Sequence, residues 1–313
     1  MEAVGAFIKK RREQKGLTRD ALAKRTSCTS KTIQRAETGE VKTYLQTIYP
    51  ILSILDISHD EFDGMCYGLD TRAFYSDVER IWDTGRTKNY GAMPKMIEKL
   101  KADYGELDRP TLKQAILLLE GAVLCNKDNN YPASLAIMYE ALKLTTTDIV
   151  SGTNAINCRK VAENIFSLYE HRIIRFIANT YTRMGEPKKS LEIYKAIVSS
   201  IENDTRDYGL QKKLLPITYF NLSNELIAND NYEEGLITTE SGLESCRKNK
   251  DYKLYGKLLC NKGRAFHGLG NAEQTRKIFQ QSYNTLVTLE EFEDAKHLQV
   301  IAKDEYNIII EQL

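Results

Sequence analysis

Residues 8–39 read IKKRREQKGLTRDALAKRTSCTSKTIQRAETG, and this stretch has the pattern of three short helices joined by tight turns. A basic first helix runs to Gly16, and Thr18 can cap a second helix. Thr29 can cap a third helix, which Gly39 ends. The order and spacing of these signals predict a helix-turn-helix motif.

The apolar residues of the stretch stand where such a motif needs its core. Leu22 and Ala23 fall on the second helix and Ile33 on the third. This spacing lets the third helix cross the second and enter the major groove of DNA. The stretch resembles the lambda-repressor-like, or Xre-type, DNA-binding domains of bacteria and phages, and the resemblance implies that the chain binds double-stranded DNA.

The same resemblance implies roles for individual residues. In Xre-type domains the first residues of the third helix face base edges, and the start of the second helix meets a phosphate. The expected DNA-binding residues are Thr18, Arg19, Thr29, Ser30, Lys31, Thr32, Gln34, Arg35 and Lys42. Most relatives have glutamine in place of Arg19, which suggests a stronger phosphate contact here. Arg12 and Glu37 occupy the positions of a buried salt bridge that joins the first helix to the end of the third.

The charge of the chain is concentrated near its beginning. Residues 1–45 hold eleven basic and five acidic residues, a net charge of +6. The whole chain carries only +1, so the remainder carries −5. A locally basic surface is what a phosphate-binding domain needs, because affinity for DNA comes largely from counterion release.

Composition argues against several other classes of protein. The six cysteines show no metal-ligand spacing and the four histidines are far apart, so we expect thiols and neither a metal nor a cofactor. The chain is polar by residue 9 and has no apolar run near the ~20 residues of a membrane helix, which favours a cytoplasmic protein without a membrane partner. A Ser/His/Asp arrangement, an HExxH motif and a glycine-rich phosphate loop are all missing from the sequence, so we do not expect an enzyme.

From residue 71 onward the sequence repeats as helix, short turn and helix. The clearest copy is LLCNKGRAFHGLGNAEQTRKIFQQSY, residues 258–283. Further copies cover residues 173–197, 219–243, 117–144 and, in degenerate form, 72–104. These units resemble tetratricopeptide repeats, in which small residues let paired helices approach and aromatic residues fill the space between them. The predicted fold is all-α, a lambda-repressor-like head followed by a right-handed tetratricopeptide-like superhelix with a concave inner surface.

Small residues mark equivalent places in the five copies: Ala92, Ser134, Ser190, Gly235 and Thr275. Their separations of 42, 56, 45 and 40 residues all exceed the usual 34, which predicts longer helices or turns. We therefore expect a helix-turn-helix domain over 1–63, a linker over 64–71, a repeat domain over 72–290 and a capping helix over 291–313. The apolar face of that last helix is expected to carry Ile301, Tyr306 and Ile309.

In repeats of this kind the first helix of each pair lines the concave groove. Counting from the small residues places five amide and basic side chains there: Asn179, Asn221, Asn224, Asn261 and Arg264. Three further basic residues on or near the same face complete the expected peptide-binding set: Arg175, Arg183 and Lys257. An asparagine amide both donates and accepts, so it can hold an extended main chain of any sequence. Arginine can take a carboxylate with two parallel hydrogen bonds.

Head and repeats together resemble the cytoplasmic peptide-pheromone receptors of Gram-positive bacteria and their phages, the Rgg, PlcR, PrgX, NprR and AimR type. The resemblance implies a homodimeric regulator that binds a palindromic operator and is switched by a short signalling peptide in the groove. An alternative keeps the head but uses the repeats to dock a protein partner. A second alternative is an enzyme, since Rap-type relatives with such repeats act on phosphorylated response regulators, but the sequence offers no identifiable group for that chemistry.

Overall fold

The computed structural model of the chain describes residues 2–26, 28–39, 45–57, 71–104, 110–146, 149–151, 155–164, 166–203 and 214–311. Within these ranges the regular secondary structure is α-helical, as the sequence predicted. The helices of the first half are α1 (Glu2–Gln14), α2 (Arg19–Thr26), α3 (Ser30–Thr38), α4 (Leu45–Ile54), α5 (Thr71–Arg86), α6 (Met93–Tyr104), α7 (Pro110–Asn126) and α8 (Tyr131–Lys143). Those of the second half are α9 (Cys158–Glu163), α10 (Leu168–Arg183), α11 (Pro187–Glu202), α12 (Leu215–Ala228), α13 (Tyr232–Asn249), α14 (Tyr255–Gly268), α15 (Ala272–Thr288) and α16 (Phe292–Tyr306).

The described residues fall into two compact units. The first contains those of 1–155 and 165–173, and the second contains those of 156–164, 174–203 and 209–313. None of the helices in the described ranges has both the length and the apolar character needed to span a membrane.

Helices α1 to α4 enclose the core of the head. Leu22 and Ile33 are fully buried there, and Ala23 is 5% exposed. They pack with apolar residues of α1 and α4, among them Ile8 and Ile51. A core of aliphatic side chains from all four helices is what holds so short a set of helices together, because each helix buries only one face.

The five predicted repeat copies each coincide with a pair of helices. The pairs are α5 with α6, α7 with α8, α10 with α11, α12 with α13 and α14 with α15. Close approach within a pair depends on small residues. A Cβ added at Gly263 on α14 would lie 2.4 Å from ring carbons of Phe279 on α15. Ser134 of α8 is fully buried, and its hydroxyl donates to the Gly121 carbonyl of α7 over 2.8 Å.

The final segment differs from a continuous capping helix. Helix α16 ends at Tyr306, and Asn307 adopts the left-handed conformation with φ 53°. Ile309, expected on the apolar face of a helix, is 83% exposed, whereas Ile308 and Ile310 are each 7% exposed. The side chains alternate because the chain has left the helix, and alternation is the period of an extended strand.

Candidate functional site

Helix α3 exposes three of the side chains that the sequence predicts to contact DNA. The Thr29 hydroxyl caps the helix by accepting a hydrogen bond from the Thr32 main-chain N–H over 3.1 Å. Gly39 ends the helix in the left-handed conformation, with φ 71°. One face is buried in the head core, and the exposed face carries Lys31, Gln34 and Arg35. Two cations and one amide on a single exposed helical face form a surface suited to guanine and adenine edges.

The hydroxyl groups of the predicted set hold the motif together. Thr18 accepts from the Ala21 main-chain N–H over 3.1 Å and so caps α2. The Ser30 hydroxyl donates to the carboxylate of Asp20, which ties the start of α3 to α2. The hydroxyls of Thr29 and Thr32 are 2.8 Å apart. These four predicted residues therefore orient the helices through hydrogen bonds within the motif. Lys42 lies outside the described residues.

A buried carboxylate joins three helices of the head. The Glu37 side chain is fully buried, and Arg12 on α1 donates to it from Nε and, over 3.4 Å, from Nη2. This is the ion pair that the sequence placed between these helices. Arg19 on α2 also donates from Nε to Glu37 Oε2, over 2.8 Å. The sequence assigned Arg19 to a phosphate and did not anticipate this contact.

Two opposing effects act on the pKa of Glu37. Burial acts to raise it, because a carboxylate loses its hydration. The hydrogen bonds from Arg12 and Arg19 outweigh burial, and the pKa of Glu37 lies below its usual value. The group is thus an anion at neutral pH, and it pairs with one arginine from α1 and one from α2.

In the second unit, amides from two helices meet at a buried tyrosine. The Tyr194 hydroxyl on α11 donates to Asn179 Oδ1 on α10 over 2.7 Å. Asn221 on α12 also bonds to this hydroxyl. The Tyr194 ring is 1% exposed, and burial raises the pKa of its hydroxyl. The repeat pattern in the sequence did not indicate that a buried tyrosine joins these two asparagines.

A second cluster contains Asn224, Asn261 and Arg264. Arg264 Nη1 on α14 donates to Asn224 Oδ1 on α12 over 2.6 Å and to Asn261 Oδ1 over 3.3 Å. The Asn261 amide in turn donates to the Ser223 hydroxyl over 3.0 Å. Asn261 is only 3% exposed, whereas Asn224 and Arg264 are partly exposed. The amide of Asn261 thus links neighbouring repeats, and Asn224 with Arg264 forms the accessible part of the cluster.

The three remaining basic residues of the predicted set have different surroundings. Arg175 is partly buried, and its charge opposes in part the rise that burial causes in the pKa of the Tyr194 hydroxyl. Lys257 on α14 pairs with Asp294 on α16 over 2.7 Å. Arg183 is exposed at the end of α10. The structure therefore brings the asparagines and Arg264 together in two clusters, whereas Lys257 pairs with an acid on α16.

A buried acid that the sequence did not single out lies between α10 and α12. Glu225 is 4% exposed and accepts from the Thr182 hydroxyl over 2.6 Å and from the Asn229 amide over 3.3 Å. The Thr182 hydroxyl also lies 2.8 Å from that of Ser190. The small residue at 190 was visible in the sequence, but nothing in the repeat pattern distinguishes Glu225 from a solvated acid.

Side chains suited to metal or redox chemistry are not clustered in the described residues. No group of three His, Cys, Asp or Glu side chains there is placed to hold a metal ion. The described cysteines, Cys28, Cys125, Cys158, Cys246 and Cys260, form no disulfide with one another. Burial raises the pKa of the Cys260 thiol to about 11, so it is protonated at neutral pH.

Comparisons with known proteins address both parts of the chain. Residues 3–65 match the model of a helix-turn-helix domain, and residues 132–307 match the model of the RNPP family C-terminal domain. No curated protein sequence matches the chain significantly. Solved structures do match, at sequence identities that show the fold alone.

The chain is similar to Bacillus thuringiensis PlcR, solved in complex with the peptide PapR7 and DNA, with 18% identity and a TM-score of 0.64 over 95% of this chain and 99% of that one. It is also similar to ComR from S. thermophilus, solved with DNA and its signalling peptide ComS, with 16% identity and a TM-score of 0.52 over 95% and 97% of the two chains. The Streptococcus dysgalactiae SHP pheromone receptor Rgg2 gives 13% identity and a TM-score of 0.52 over 97% and 99%. The match to the RNPP family C-terminal domain covers more than half of the residues of this chain, so the chain belongs to the RNPP family.

Proposed function

We propose that this chain is a cytoplasmic DNA-binding transcriptional regulator whose affinity for its operator is switched by a short signalling peptide bound to the repeat helices. The observation that carries the proposal is one chain with both an exposed reading helix, α3, and an RNPP-family domain whose first helices carry partly exposed amides. PlcR with PapR7 and ComR with ComS, two relatives of the same fold, were each solved with peptide and DNA together.

The DNA-binding part of the proposal assigns two kinds of contact. Lys31, Gln34 and Arg35 read base edges from the exposed face of α3. Arg19, with Thr18 and Lys42, holds the phosphate backbone. We further propose a homodimer, because helix-turn-helix dimers place two reading helices about 34–36 Å apart on a palindromic site.

The peptide-binding part uses the groups that remain accessible in the two clusters. Asn179, Asn221 and Asn224 supply amides, and Arg264, with Arg175, Arg183 and Lys257, supplies positive charge. An asparagine amide offers two donors and two acceptor positions, so the bond from Arg264 does not saturate Asn224. We assign Asn261 a supporting role, because its side chain is buried and bonded to Ser223 and Arg264.

These contacts also suggest how binding could act at a distance. The Asn224–Arg264 bond joins α12 to α14, so a peptide that takes either group as its partner changes a contact between successive repeats. To shift a protein from a 1:99 to a 99:1 ratio of two conformations, a ligand must bind the second conformation more tightly by roughly 5.5 kcal/mol. Several such bonds, each worth roughly 1 kcal/mol, are of the right order in sum.

Selection of duplexes from a random pool by the full chain tests the DNA assignment. We expect an enriched sequence, and we expect Arg35→Ala to relax selection at one position of it by about 1–3 kcal/mol. Lys10→Ala, which removes an exposed charge from α1, is the matched control and should leave the selected sequence unchanged. Enrichment of no sequence would argue against specific recognition.

Calorimetry with synthetic peptides tests the repeat assignment. Candidate peptides are those encoded by short open reading frames beside the gene. We expect one to bind the full chain, and we expect Asn224→Ala to weaken it at least tenfold. Asn249→Ala, on the second helix α13, is the control that should not change the affinity. Tight binding that ignores Asn224, Asn221 and Asn179 alike would place the peptide elsewhere.

A further inference from the structure

The chain after α16 turns back onto the helices that precede it. Asn307, with φ 53°, reverses the chain, and the Ile308 main-chain N–H donates to the Ala302 carbonyl over 2.8 Å. Ile308 and Ile310 are buried on either side of an exposed Ile309. Residues 308–311 therefore lie on the protein as a strand does, with alternate side chains inward.

A glutamine side chain on α15 binds the main chain of this segment. Gln280 Nε2 donates to the Glu311 carbonyl, and the Glu311 main-chain N–H donates to Gln280 Oε1, each over 2.9 Å. Gln280 Nε2 also bonds to Asn284 Oδ1, one turn along α15, over 2.9 Å. Glu311 contributes only main-chain atoms to these two bonds, so they do not depend on which side chain stands at that position.

The two buried isoleucines supply the apolar part of the contact. They belong to a cluster with Phe279 and Leu286 of α15 and with Leu298 of α16. The segment thus combines two aliphatic anchors at alternate positions with a main-chain anchor next to them. This combination is the usual way in which a protein binds an extended peptide.

The same face of α15 continues beyond the bound segment into an open cavity of about 610 Å³. Lys277, Gln280, Gln281, Asn284, Thr285 and Thr288 line it. Gln280 and Asn284 are shared between the cavity and the bound segment. A chain bound at Gln280 therefore has space and polar partners beside it for further residues.

We propose that this face of α15, with its apolar cluster, is a docking site for an extended peptide that has aliphatic residues at alternate positions, and that residues 308–311 fill it as a tethered ligand. The site differs from the proposed signalling-peptide site, which uses the first helices α10, α12 and α14. A short tether gives the chain's own segment an effective concentration on the order of millimolar. A free peptide binds when it exceeds that concentration or when the segment is weakened.

The test uses the full chain and a fluorescent synthetic peptide with the sequence of residues 306–313, YNIIIEQL, preceded by two lysines for solubility. The variant Ile308→Ser with Ile310→Ser weakens the tethered segment. We expect this variant to bind the peptide saturably, at least tenfold more tightly than the unaltered chain does. A peptide with serines in place of the first and third isoleucines should bind at least tenfold more weakly.

Gln280→Ala, added to the double variant, should weaken peptide binding at least tenfold, whereas Gln274→Ala on the same helix should not. A folded double variant that binds no peptide would overturn the proposal, as would binding that ignores Gln280 or the position of the isoleucines. If the double variant loses its cooperative melting transition, excess peptide is added to the unaltered chain instead. Hydrogen exchange at residues 308–311 should then rise, and unchanged exchange would refute the proposal.

Discussion

Glu37 shows how much one buried side chain does in the head. Its carboxylate accepts from Arg12 on α1 and Arg19 on α2 while it sits near the end of α3. Removing the carboxylate leaves a buried arginine without its anion, which is the costly way to break such a pair. Glu37 therefore fixes the orientation of α3 as well as the stability of the head.

The pKa of Glu37 predicts a pH dependence of stability. Because the folded-state pKa lies below the unfolded value of about 4.3, the stabilisation is complete above that value and is lost as the pH falls through the folded pKa. Thermal melts of the unaltered chain and of Glu37→Gln should differ most near neutral pH and converge in acid. Glu13→Gln removes an exposed partner of Arg12 and is the control, with little effect expected. Curves separated equally at all pH values would contradict this role.

Arg19 gives a prediction for DNA binding. Its Nε is held by Glu37 and its side chain is 40% exposed, so the guanidinium is oriented while part of it faces solvent. Replacing it with the glutamine of most relatives should make the negative slope of log K against log salt shallower by about 0.9, because one phosphate contact is lost. Anisotropy titrations with any duplex at several salt concentrations measure this slope. An unchanged slope in Arg19→Gln would mean that Glu37 keeps Arg19 away from the backbone.

Single residues also mark the limit of what the sequence could predict. The pairing of Arg12 with Glu37 follows from a family position, but the Arg19–Glu37 contact depends on how α2 meets the end of α3. Counting along a helix placed Asn261 in the groove. Its side chain instead turns toward Ser223, because that hydroxyl on the neighbouring helix offers a buried partner. Periodicity gives the face of a helix but not which neighbour a side chain reaches.

At the level of elements, one turn recurs between consecutive helices. A residue with positive φ stands two positions before α8, α11, α13, α15 and α16; these residues are Asn129, Gly185, Asp230, Gly270 and Glu290. The glycines signalled their turns in the sequence, because glycine adopts this conformation without strain. Asn129, Asp230 and Glu290 adopt it at a cost, and no glycine marks these three turns in the sequence.

The contact between Gly263 and Phe279 predicts the effect of one added methyl group. A Cβ at position 263 would meet the Phe279 ring at 2.4 Å, so Gly263→Ala should destabilise the chain by about 1–3 kcal/mol. Adding Phe279→Leu should recover part of that loss. Gly91→Ala is the control, because nothing lies within 4 Å of its Cβ. Denaturant unfolding measures all three, and an unaffected Gly263→Ala would show that these helices are not closely packed.

The segment after Tyr306 was predicted to be helical, and its apolar character was predicted correctly, but its conformation is extended. The apolar residues after Glu305 fit a helix as well as a strand, since three consecutive isoleucines carry no period. The left-handed Asn307 decides the outcome, and with it which isoleucines are buried. The five helix pairs, by contrast, were predictable because small and aromatic residues recur in each copy.

At the scale of the whole molecule, a basic head precedes paired helices, and side-chain hydrogen bonds join α12 to α14. The charge asymmetry follows directly from the sequence. The proposed switch requires that peptide and DNA favour the same or opposite conformations of one chain. Thermodynamic linkage then requires that each changes the affinity of the other by the same factor.

That reciprocity is the most direct test of the account. Anisotropy titration of the full chain with its selected duplex, with and without saturating signalling peptide, gives the change in DNA affinity, and calorimetry of the peptide with and without duplex gives the reverse. We predict a change of at least fivefold, of equal size in both directions, that is lost in Asn224→Ala. A peptide that binds tightly and leaves the affinity for DNA unchanged would contradict the account.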